Sequence, residues 1–82
     1  MKIALYLSQG KNGETKGREE AIGAALKAGF ERYGDKVVLR FTHEFTAPED
    51  EIQLAAVIGI KGHSKRIFDE HRRAGRHALL VD

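Results

Sequence analysis

The chain has 82 residues, no cysteine, 41% hydrophobic and 32% charged residues, and a formal net charge of +2. A chain this short makes one domain rather than two and buries only about 60% of the surface its unfolded form exposes, so its core is thin. Disulfides and thiolate zinc sites are excluded, a single proline argues against disorder, and no apolar run approaches the ~20 residues that a membrane-spanning helix needs.

The first residues superficially suggest a signal peptide, but the apolar stretch ends at Leu7 and Ser8-Gln9 follow without a small-residue cleavage site. Residues 2 to 8 are instead expected to form a first strand of a cytoplasmic protein. Ile3, Leu5 and Leu7 alternate with Ala4 and Tyr6, so both faces are apolar enough to be covered. A glycine-containing loop, Gln9 to Gly17, leads into a helix near 17 to 33, whose stripe is Ile22, Leu26, Gly29, Phe30 and Tyr33. Gly34 stands where a helix C-terminus wants a left-handed residue.

Residues 36 to 41, rich in β-branched and apolar side chains, predict the second strand. Thr42 to Asp50 is polar and contains Pro48, and Thr46 with Glu49 has the spacing to cap a short helix through Ile52 or Leu54. Glu49-Asp50-Glu51 then reads as a solvated helix start that complements the dipole. The continuous apolar run 54 to 60 predicts a central strand, and Lys61-Gly62-His63 a tight turn. Ser64 is placed to cap a helix over 64 to 74 that buries Ile67, Phe68 and part of His71. Gly75 ends that helix, and residues 77 to 81 predict a fourth strand.

This alternation predicts a small three-layer α/β domain, a Rossmann-like half with a four-stranded, mostly parallel sheet in the order 2-1-3-4. Ligands of open α/β sheets bind outside the carboxyl ends of the strands where the order reverses, here between strands one and three. The loops flanking that point run from Ser8 to Arg18 and from Lys61 to Ser64. The candidate ligand-binding residues are therefore Ser8, Gln9, Gly10, Lys11, Gly13, Lys61, Gly62, His63 and Ser64, which combine N–H groups with cations as phosphate binding requires. No strict phosphate motif is present. Thr15 stands where a P-loop needs its second glycine, and the G-x-G-x-x-G pattern of dinucleotide sites is missing.

The basic charge is local. Residues 61 to 77 hold Lys61, Lys65, Arg66, Arg72, Arg73 and Arg76 against only Asp69 and Glu70. Lys65, Arg66, Arg72, Arg73 and Arg76 are the candidate partner-binding residues, for an acidic protein or, with weaker support, nucleic acid. His43, His63, His71 and His77 lack paired metal-ligand spacing, and Ser64 beside His63 lacks the arrangement of a nucleophile and base. No metal site, cofactor or catalytic residue is assigned, and whether the protein is an enzyme stays open.

The segment from Ala56 to Asp82 consists of a strand, the turn Lys61-Gly62-His63, a Ser64-led helix ending in Ala74-Gly75, and a strand ending in Asp82. It resembles the third- and fourth-strand region of the N-terminal half of phage-encoded glycosyltransferases of the two-Rossmann-domain type. The resemblance covers about a third of the chain. In that family the N-terminal half receives the acceptor, while the nucleotide-sugar donor sits mainly on a C-terminal half. The resemblance thus implies an N-terminal domain over residues 1–82, open to being a fragment of a longer chain. Such a domain binds a phosphate- or sugar-bearing ligand without being catalytic alone, and a phage origin would place it in the host cytoplasm. The alternative is a small interaction or inhibitor protein of phage type, acting on a host complex through its basic helix or a sheet edge. The edge left by the fourth strand further predicts a homodimer or a covering partner.

Overall fold

The structure is a computed structural model that describes residues 1–8, 17–59 and 63–81. Strand β1 (Lys2–Leu7) is followed by helix α1 (Gly17–Arg32), strand β2 (Lys36–Phe41) and a 3-10 turn (Thr42–Glu44). Strand β3 (Leu54–Ile58), helix α2 (His63–Arg73) and strand β4 (His77–Val81) complete the chain. All strand pairings are parallel, and the order is β2-β1-β3-β4. The expected Rossmann-like α/β architecture is therefore the observed one.

The double-sided apolarity of β1 has a direct cause, since Ile3 to Leu7 are all buried between two layers. Ile3, Leu5 and Leu7 face α1, where Ile22, Leu26 and Phe30 close the first core cluster with Val37, Ala56 and Ile58. Ala4 and Tyr6 face the other side, where Ile67 of α2 joins Ile52, Ala55 and Val57 in the second. Gly23 lets α1 approach closely, because a Cβ there would lie 3.0 Å from the Leu7 side chain. Gly34 and Gly75 follow the helices with φ of 88° and 78°, the left-handed conformation that favours glycine at a helix end.

Several local expectations are corrected. Helix α1 ends at Arg32, so Tyr33 lies in the turn and is 87% exposed rather than part of the buried stripe. On α2 the buried side chains are Ser64, Ile67 and His71, whereas Phe68 is only half-buried, with the Arg72 guanidinium 5.9 Å from its ring centroid. The short helix expected from Thr46 through Ile52 or Leu54 does not form.

The segment from Thr42 to Gln53 must return from the carboxyl end of β2 to the amino end of β3 across β1. That path runs roughly 17–20 Å along a strand and roughly 10 Å sideways. A seven-residue helix would advance only about 10 Å. The segment instead makes the 3-10 turn and then a single turn closed by the Ile52 N–H on the Glu49 carbonyl at 3.2 Å. It passes over the α2 face of the sheet, where Phe45 and Ile52 enter the second core cluster.

The three carboxylates of this crossover are not a solvated helix start. Glu49 pairs with Arg40 at 2.9 Å, Asp50 with Arg76 at 3.4 Å, and Glu51 with Lys2. Each therefore reaches a different strand or strand junction, and Arg76 also donates to the Glu49 carbonyl. These are exposed or partly exposed pairs, so each contributes little alone. Together they set where the crossover lies. Beyond the helices, Leu39 on the β2 edge and Leu79 on the β4 edge are each 46% exposed.

Candidate functional site

Every strand runs in the same direction, so the residues after β1, β2 and β3 gather at one edge of the sheet. The reversal of strand order lies between β1 and β3, as expected. Of the candidate ligand-binding residues, Ser8, His63 and Ser64 are described at this edge; Gln9, Gly10, Lys11, Gly13, Lys61 and Gly62 lie outside the described residues.

The Ser8 N–H donates to Glu19 Oε1 at 3.0 Å, so a carboxylate from the first turn of α1 already engages the N–H at the end of β1. His63 is exposed and opens α2. Ser64 is buried and lies within the helix rather than at its cap. Its hydroxyl donates to the Ile58 carbonyl at 3.3 Å, tying the start of α2 to the end of β3. This makes Ser64 a structural residue, with its oxygen turned toward the strand.

The candidate partner-binding cations are also mostly engaged within the fold. Lys65 and Arg66 pair with Asp69 and Glu70 one turn on, at 3.1 and 3.3 Å. Arg66 also lies 5.5 Å from the Phe45 ring centroid, and Arg76 is held by the crossover as described. Arg72 and Arg73 are exposed in the last turn of α2.

A second cluster at the same end of the sheet was not visible as a group in the sequence. Buried Tyr6 and His71 pack with the partly buried Phe45 as an aromatic triangle with ring centroids 5.8–5.9 Å apart. The Tyr6 hydroxyl is 3.3 Å from His71 Nε2, while His71 Nδ1 is buried without a hydrogen-bond partner among the described residues. Burial, reinforced by the Glu49 carboxylate, pushes the Tyr6 phenol up to about 12. Burial pulls the His71 imidazole below its ordinary value, and Arg76 pulls the same way against the opposing influence of Glu49 and Glu70. Both groups are thereby held neutral around pH 7.

Beside this triangle lies a cavity of about 450 Å³ over the carboxyl ends of β1 and β2, lined by Tyr6, Arg40, Phe41, Glu44, Phe45 and Glu49 among others. Arg40 crosses it as a fork. Its Nε and Nη2 donate to the two Glu49 oxygens at 2.9 and 3.3 Å, and Nη1 donates to the Leu39 carbonyl at 2.9 Å. Donation to the Glu49 carboxylate holds the Arg40 guanidinium above its ordinary value. No local pattern announces this site, because its residues come from β1, β2 and the crossover. The nearest sequence signal is the pair of charges, Arg40 and Glu49, flanking an aromatic-containing loop.

Among the described residues, no group of three His, Cys, Asp or Glu side chains could hold a metal ion, and no helix is long and apolar enough to cross a membrane. Comparison with protein-family models, with curated proteins and with solved structures finds no match to this chain.

Proposed function

We propose that the protein is a ligand-binding α/β domain, similar to the N-terminal half of a two-domain glycosyltransferase and not catalytic alone. It takes a phosphate- or sugar-bearing molecule at the carboxyl edge of the sheet, between β1 and β3. The observation that carries this reading is the reversal of strand order at that point, with the start of α2 tied to the end of β3, the strand that pairs with β1. A phosphate there gains the partial positive charge of a helix start and of successive N–H groups. Lys11 and Lys61, in the two flanking loops of the sequence, supply charge that the hydrogen-bonding groups do not.

The alternative, a protein-binding surface along α2, is supported by the exposed Arg72 and Arg73. The internal pairing of Lys65, Arg66 and Arg76 leaves that surface fewer cations than the sequence suggests, which is why the ligand reading is preferred.

The charge contribution is separable from the fold. Lys61→Ala should weaken calorimetric binding of a nucleotide or nucleotide sugar, with the loss shrinking as salt rises, because exposed charges are screened over ~8 Å at physiological ionic strength. The thermal midpoint should not change. A wild-type protein that takes up none of the nucleotides at millimolar concentration, while binding an acidic polypeptide that Arg72→Ala and Arg73→Ala weaken, overturns the ligand reading in favour of the alternative.

A further inference from the structure

The cavity over β1 and β2 differs in chemistry from the β1/β3 crevice. Among the described residues that line it the one cation is Arg40, whose fork is engaged by Glu49 and the Leu39 carbonyl. Its carboxylates outnumber that cation, since Glu44 also lines the wall, exposed and 3.7 Å from His43. A phosphate would face this carboxylate excess with the one guanidinium already paired to Glu49, so the cavity disfavours anions. The polar atoms it offers are predominantly acceptors, which match the hydroxyl donors of a polyol.

The remaining wall is mostly apolar, with Leu39 and Ala47 beside the aromatic rings. Phe41 and Phe45 line the cavity, and both are only partly buried, so they present apolar surface to whatever enters. The volume lies within the range of about 300–1,000 Å³ usual for small-molecule sites. Carboxylate acceptors above an apolar wall suit a ring that has hydroxyls around its rim and C–H groups on its face.

We propose that this cavity is a seat for a neutral sugar ring, distinct from the anion-binding crevice, with Glu44, and Glu49 through the lone pairs that Arg40 leaves free, accepting from ring hydroxyls and Phe41 and Phe45 meeting its apolar face. The proposal rests on the ligand reading above and gives the sugar its own place. Tyr6 lines the floor and His71 lies behind it, two neutral groups that add no charge to disfavour an uncharged ligand.

The test is an NMR titration of the full chain with glucose, galactose, N-acetylglucosamine and maltose, with inorganic phosphate and putrescine as charged controls. The expected result is saturable movement of the Phe41, Glu44 and Phe45 amides with at least one sugar at millimolar concentration, while the Ser8 and His63 amides stay still. Glu44→Gln, at a side chain that is 65% exposed and outside both core clusters, should weaken that sugar about fivefold, equivalent to about 1 kcal/mol. No movement with any sugar overturns the proposal, as does movement caused equally by putrescine or phosphate, or a Glu44→Gln protein that binds the sugar as wild type does. Failure here leaves the Ser8 and His63 responses to nucleotides untouched, so the two proposals fail separately.

Discussion

Leu5→Ala should cost about 2–5 kcal/mol of folding free energy, the range for emptying a fully buried leucine site. Leu5 has no exposed surface and sits in the middle of β1, paired with Leu39 on one side and Ala56 on the other. Its side chain faces α1 close to Gly23, where the helix lies too near the sheet for a larger residue to fill the gap. The neighbouring strands hold the walls of the resulting cavity in place, so little relaxation offsets the loss. For a domain whose whole stability is about 5–15 kcal/mol, this is a substantial part. Urea melts would show it, and a loss below about 1 kcal/mol would mean that α1 does not close this face of the sheet.

His71→Ala should have the next largest effect, about 2–4 kcal/mol, because it opens a space between Tyr6 and Phe45 and leaves the buried Tyr6 hydroxyl without its partner. The same residue makes stability depend on pH. His71 is fully buried, and burial holds its pKa in the folded state below that in the unfolded chain. The unfolded chain therefore binds the proton first as pH falls. Stability from this source is fully present above about pH 6.5, the unfolded imidazole value, and declines as pH drops from there toward the lower folded value. His71→Phe keeps an aromatic ring in the triangle but cannot titrate. Its urea midpoint should change less than that of the wild type between pH 7.5 and 5.5, and parallel curves for the two proteins would contradict the assignment.

The sheet was legible because its cause is local. Strands covered on both faces must be apolar at consecutive positions, and Ile3 to Leu7 and Ala55 to Ile58 show this directly. Strand order followed from the alternation of strands and helices, since parallel strands need crossovers. Less legible were the features decided by partners far away in the chain. Glu49, Asp50 and Glu51 look like a helix start by spacing, yet they bind Arg40, Arg76 and Lys2, which come from three other places in the fold.

Ser64 has the composition of a cap, but its hydroxyl is taken by the Ile58 carbonyl. His71 and Phe68 are three residues apart on one helix, and the histidine is the one buried because Tyr6 and Phe45 surround it. The cavity over β1 and β2 was invisible for the same reason, being assembled from β1, β2 and a crossover whose path the local pattern misjudged. The switch point between β1 and β3, in contrast, follows from topology alone, and most residues of the crevice expected there lie outside the described residues.

The central claim is that this crevice receives the anionic part of a ligand, and amide NMR during titration with a nucleotide sugar tests it most directly. The account predicts saturable shifts concentrated at Ser8, His63 and Ser64, reduced in Lys61→Ala and reduced further by added salt. Shifts confined to the outward face of α2, or none at all at millimolar nucleotide sugar, would contradict it.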